Sequence, residues 1–156
     1  MRIYIHSPGI ETIEIIEDVD ANFRLSDHIT LGEGDFIFVD EQGVPIDCSI
    51  VIAEIEISPH NSHHHVHRHP CREISTEVSY NGRQVTITVR PNSRVGQVLD
   101  DAIARFEIDP VSGADLVLRL PGSNDDLSNS RFIGGLVSRG SCALELNLLA
   151  GHREHG

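Results

Sequence analysis

The sequence of 156 residues contains no lysine: its twelve basic residues, set against 24 acidic ones, are all arginine. Arginine stays protonated, so no side-chain amine is present to act as a nucleophile or an acyl acceptor. An arginine-rich composition would also leave lysine out. Long apolar runs are missing too. None reaches the ~18–20 residues that span a bilayer, and the opening residues hold no basic segment followed by an apolar core of the kind that directs secretion. A soluble, cytoplasmic protein is expected, with no membrane contact. Positive charge is scarce. A formal net charge of −12 offers no basic face for phosphates, which argues against nucleic acid as a partner. It fits a partner with a basic groove, or plain solubility. Cysteine is sparse and odd in number. Cys48, Cys71 and Cys142 do not make a disulfide framework and read as buried or incidental thiols.

The length suits one ordinary domain or two small ones, and the pattern favours two. Arg2-Ile-Tyr-Ile-His6, Ser7-Pro8-Gly9 and the alternating run 10–16 form one hairpin signature. Residues 77–80, Asn81-Gly82 and 84–89 form a second, around the strongest short hairpin turn. After the second hairpin, Asn92 or Ser93 can cap a helix. Val95, Val98, Leu99, Ala102, Ile103 and Phe106 then recur as one apolar stripe. A strand over 115–120 is stopped by Pro121-Gly122, Phe132-Ile133 follow a polar loop, and a last strand over 142–148 alternates cleanly. A hairpin, a helix and two further strands make an α+β sandwich of two layers. The first unit is less regular. Residues 19–25 hold a short helix at most, and strands are expected at Phe36–Val39 and over 49–57.

Between the units lies a tract bracketed by Pro59 and Pro70 that is rich in histidine, and it reads as an interdomain connector. Within it His63, His65, His67, His69 and Cys71 fall at every second position. In an extended segment they share one face, and neutral imidazoles with a thiolate are candidate zinc ligands. A soluble linker, adventitious metal capture, or a linker that gains charge near the ~6.5 histidine reference value is the plainer reading of the pattern.

The order of elements resembles ubiquitin. The opening Met1-Arg-Ile-Tyr-Ile-His6 is similar to a ubiquitin opening. So is the spacing from Tyr80-Asn-Gly82 through Val85–Val89 to Val95 and Ile103. Leu118-Arg-Leu-Pro-Gly122 resembles the third strand with its turn, and the segment 141–149 resembles the last strand. Two such units in one chain resemble the tandem ubiquitin-like modifiers of bacterial antiphage systems (the BilA type), themselves similar to the interferon-induced two-lobed modifier. The resemblance implies two β-grasp domains in tandem: a reduced one over 1–58, a connector over 59–71, a second over 72–149 and a flexible tail over 150–156. It implies no catalysis by the chain itself. The partners it implies are an activating enzyme, a conjugating enzyme, a zinc deconjugating peptidase and a target protein. It also implies a partner-binding surface at Leu118, Arg119 and Leu120, where Arg119 replaces the exposed isoleucine of the ubiquitin patch.

In such a modifier the terminal carboxylate becomes an acyl adenylate, then a thioester, then an amide or isopeptide. Glycine suits the narrow active sites it threads. Gly156 is the expected conjugating residue, and Gly151, nearer the ubiquitin spacing, is the alternative after trimming. An acyl-activated chain gains from carrying no lysine of its own. Three rivals remain: a β-grasp adaptor that docks without conjugation, a sulfur carrier, and an enzyme built on His67-Arg-His-Pro-Cys71.

Overall fold

The computed structural model describes residues 2–8, 13–32, 34–40, 42–55, 63–137 and 141–151. It contains two sheets of four strands with the same plan. The first is built from β1 (Arg2–His6), β2 (Glu14–Ile16), β3 (Phe36–Val39) and β4 (His63–His69), in the order β2-β1-β4-β3. The second holds β5 (Ile74–Tyr80), β6 (Arg83–Val89), β7 (Leu116–Arg119) and β8 (Ala143–Ala150), in the order β6-β5-β8-β7. In each sheet a hairpin places its first strand parallel to the last strand of the unit, and the third strand closes antiparallel on that last strand. These are two β-grasp domains in tandem.

The second domain follows the sequence pattern closely. Asn81 and Gly82 both take positive φ, at 48° and 77°, the conformation a two-residue hairpin turn requires. The helix α1 (Val95–Arg105) buries Val95, Val98, Leu99 and Ala102. With Phe106 they close over Ile74, Val78, Ile87, Leu118, Leu144, Leu146 and Leu148 in one apolar core. Each fully buried aliphatic side chain there contributes about 1.5–3 kcal/mol. Neither Asn92 nor Ser93 caps the helix. Arg94 holds that position, and its backbone N–H donates to the Gln97 side chain at 2.8 Å. Ser93 Oγ instead accepts from the Arg90 N–H at 3.1 Å. A four-residue helix, α2 (Pro110–Gly113), is started by the Asp109 carboxylate accepting from the Val111 N–H.

The first domain departs from expectation. The expected strand over 49–57 is absent among the described residues. Val51 makes one isolated bridge to Arg24, and Ile52–Glu54 form a 3-10 turn. Where a short helix was expected over 19–25, the chain turns and enters a 3-10 turn at Leu25–Asp27. Those two turns place Leu25 and Ile52, both fully buried, under Ile3, Ile5, Ile37, Val39 and Val66. They cover the sheet where the second domain uses α1.

The largest correction concerns the histidine tract. It is not a connector: His63–His69 form β4, between β1 and β3 in the middle of the first sheet. The boundary expected at 58–59 therefore moves to the four residues 70–73. The pairing donors and acceptors of a central strand are backbone groups, so polar side chains are admitted provided each face is satisfied. Val66 and His64 face the first core side, and the odd-numbered histidines face the opposite side, where His65 and His67 meet Phe132 of the other domain.

The cysteines also differ from expectation. Cys71 and Cys142 form a disulfide, and Cys48 alone remains free.

Candidate functional site

Three places hold the residues singled out in the sequence: the end of β8, the strand β7, and the seam between the domains.

At the end of β8, Gly151 is still part of the fold. Its N–H donates to the Asp115 carbonyl at 2.9 Å. A Cβ on it would stand 3.0 Å from Val117 Cγ1 and 3.3 Å from Asp126 Oδ2. A side chain here would fit only if Val117 shifted slightly, and Gly151 stays attached to β7 and its neighbour. Ala150, expected at the start of a flexible tail, is the last residue of β8 and pairs with Leu116. Gly156 lies outside the described residues.

On β7, Leu118 is wholly buried in the second core and is not a surface residue. Arg119 is 8% exposed and its Nε donates to Asp126 Oδ1 at 2.6 Å. A buried guanidinium needs such a partner to offset its desolvation. Leu120 is half-buried against the same core. The expected surface at Leu118, Arg119 and Leu120 is therefore mostly interior. The strand alternation could have shown this for Leu118, because it shares a parity with Leu116 and Leu120.

The seam is the most unusual region. Register sets Tyr4 beside His65, and His6 beside His67, which in turn pairs with Phe38. This row lies on the sheet face opposite Ile3, Ile5 and Val66. His6 and His67 stack with centroids 4.4 Å apart and planes 12° from parallel. Phe132 of the second domain meets both edge-on, at 4.8 Å and 4.4 Å. The Arg94 guanidinium lies over the Phe132 ring at 4.6 Å, a cation–π contact. His6 Nε2 and His65 Nδ1 are 2.9 Å apart, so one nitrogen carries the proton and the other accepts.

A second latch lies nearby. The Asn92 amide, 3% exposed, donates to the carbonyls of Asp40 and Gln42 at 3.0 Å and 2.8 Å. Asp40 in turn receives His64 Nδ1 at 2.7 Å and the His65 N–H at 2.8 Å.

Electrostatics follow from this packing. Burial, then the neighbouring His65 and Arg94, push His6 down to about 4. His65 is lowered chiefly by burial, with His63 and Arg94 adding to the effect and Asp40 opposing it. His67 is pushed well below the ordinary histidine range by burial, then by His6, His65, Arg94 and His69. At neutral pH these rings are flat, uncharged packing surfaces. Burial alone would raise Asp40, but its bonds to His64 and His65 hold it below the ordinary carboxylate value.

This arrangement does not make the metal site expected at His63, His65, His67, His69 and Cys71. The Cys71 sulfur is bonded to Cys142 and cannot serve as a thiolate. Among the described residues no three His, Cys, Asp or Glu side chains are placed to hold one ion. The disulfide likewise removes Cys71 as a free nucleophile. The shared face of the odd-numbered histidines was legible as alternation. What the face packs against, Phe132 and Arg94, carried no signal. A cleft of about 460 Å3 opens beside the seam, lined by His6, Ile13, His65, Arg94, Arg131 and Phe132 among others.

Residues 75–151 match the family model described as BilA ubiquitin-like domain 2. Among solved structures, Caldiarchaeum subterraneum ubiquitin is 16% identical, covering 53% of this chain and 98% of its own, with a TM-score of 0.40. A designed protein based on ubiquitin is 15% identical, covering 54% and 95%, with a TM-score of 0.41. No curated protein matches. No helix of the described residues is long and apolar enough to cross a membrane. With a BilA ubiquitin-like domain 2 over residues 75–151 and a second sheet of the same strand order before it, the chain is a BilA-type tandem ubiquitin-like protein.

Proposed function

We propose that this chain is a protein modifier. In this reading its C-terminal glycine is adenylated, passed to an enzyme cysteine and joined to a target amine by dedicated enzymes in antiphage defence. The observation that carries the reading is the family match over 75–151, which ends where β8 hands the chain on at Gly151. Adenylation joins the carboxylate to AMP and releases pyrophosphate. Thiol attack releases AMP, and amine attack on the thioester releases the thiol. All three steps belong to partner enzymes, so the chain itself is not an enzyme and needs no cofactor. Its own contribution is a glycine that clears a narrow site and a surface without lysine that offers no side-chain amine for self-attachment.

Gly156 is the favoured reactive residue. Gly151 is hydrogen-bonded to Asp115 and packed on Val117, so reaching an enzyme active site from there would require unpairing β8 from β7. The processing peptidase and the target are expected partners in the same scheme, in the cytoplasm.

Intact-mass analysis with ATP and the cognate activating enzyme tests the reading. An added AMP, or a thioester to the enzyme cysteine, is the expected result; no mass change with an active enzyme would sink it. The interdomain cleft favours one alternative, a docking adaptor that is never conjugated. Deleting residues 152–156 separates the two: an adaptor keeps its activity and a modifier loses it.

A further inference from the structure

We infer that the Cys71–Cys142 disulfide is a redox-operated staple on the joint between the domains, opened by a dithiol reductant and closed by its disulfide form. The first support is position. Only residues 70–73 separate β4 from β5, and Cys71 is one of them. Cys142 lies immediately before β8, and its carbonyl accepts the Ser75 N–H at 2.9 Å, at the start of the β5–β8 pairing. The bond therefore ties the interdomain segment to the last strand of the second domain. It closes a sequence separation of 71 residues, a length at which a cross-link strongly restricts the unfolded chain.

The second support is asymmetry. Cys71 is 2% exposed and packs in the second core, whereas Cys142 is exposed. A thiolate arriving from solvent reaches the Cys142 sulfur. Its attack breaks the S–S bond, forms a mixed disulfide with Cys142 and expels Cys71 as a thiolate, which takes up a proton. The second thiol of the reductant then attacks the mixed disulfide, frees Cys142 as a thiol and leaves as a cyclic or intramolecular disulfide. Two electrons and two protons pass to the protein, and the dithiol is oxidised.

The third support is that the reduced form has somewhere to rest. Cys71 Sγ lies 3.1 Å from the Ser141 carbonyl oxygen, so the released thiol gains an acceptor and remains a small apolar core residue. Both sheets keep their backbone pairing. The joint loses its covalent tie and retains the Asn92 and Phe132 contacts. Reduction thus loosens the domains without unfolding either.

The test uses the full chain, oxidised and then treated with graded dithiothreitol under native conditions. Thiols are trapped with a maleimide and counted by intact mass. Tryptic cleavage after Arg72, which is exposed beside the staple, reads the joint. The expected result is two newly trapped thiols with an unchanged far-UV spectrum. Cleavage should be faster on the order of tenfold, and the Tm lower by roughly 10 °C. A bond that resists reductant until denaturant is added overturns the proposal. So does a reduced protein that is cleaved and melts like the oxidised one, or a pair that never joins in an oxidising glutathione buffer. The double variant C71S/C142S should reproduce the reduced form; should it fail to fold, the reduction series on the natural chain still decides.

Discussion

The two domains share one strand order and cover their sheets by different means. The second brings its own helix, whose Val95, Val98, Leu99 and Ala102 bury one face of β5–β8. The first covers one face with two short turns and leaves the other, carrying His6, His65, His67 and Phe38, to be closed by Phe132, Arg94 and the Asn92 latch of its neighbour. The histidine-bearing face also titrates unusually: His6, His65 and His67 are all lowered, chiefly by burial. A β-grasp sheet can therefore be completed by a partner domain, with neutral imidazoles in place of aliphatic side chains, and those imidazoles bring a dependence on pH with them.

Acidification should have the largest effect. The depressed histidines bind protons in the unfolded chain near pH ~6.5 but in the folded first domain only well below it, His6 at about 4. The unfolded state thus holds more protons across that window, and stability falls as pH drops from about 6.5 towards 4. Asp40, also depressed, adds loss of the same sign below the ordinary carboxylate range. Hydrogen exchange at several pH values, corrected for intrinsic rates, should show β1 and β4 losing protection before β5 and β8. Parallel loss in both sheets would remove the distinction drawn between the domains.

Leu118→Ala comes next. It leaves a cavity in the aliphatic core and should cost about 2–5 kcal/mol in urea unfolding. An unchanged midpoint would return Leu118 to the surface, as the ubiquitin resemblance implied. Asn92→Ala removes two hydrogen bonds between the domains and should cost about 1–3 kcal/mol, read as weakened protection at Asp40 and Gln42 with the second core intact. If second-domain melting shifts by the same amount, Asn92 supports its own loop and no latch. Gly151→Ala should have the smallest effect, about 1 kcal/mol from the 3.0 Å approach to Val117. Adduct formation should survive that substitution. Its complete loss, in a folded protein, would move the reactive glycine back to Gly151.

Legibility in the sequence followed the kind of signal each element carries. The helix stripe, the Asn81-Gly82 turn and the alternation of β8 are local patterns set by the 3.6- and 2-residue periods, and α1, β6 and β8 formed where they placed them. The strand expected over 49–57 failed because isoleucines at mixed spacing serve a 3-10 turn as well as a strand; burial of Ile52 is all they required. The tract 63–69 was hidden for the opposite reason. Its every-second-residue histidines carry a strand period, but charge-capable side chains read as solvent-facing until a second domain is packed against them.

The sequence alone determined the tandem arrangement, the ubiquitin-like order of the second domain and the absence of a lysine amine, because each depends on residue type and local spacing. The tertiary structure alone decided that the histidine tract is a central strand, that Cys71 meets Cys142, that Arg119 is buried on Asp126 and that Gly151 still belongs to the sheet. Each of these depends on groups brought together from distant positions in the chain, and no local period encodes such a meeting.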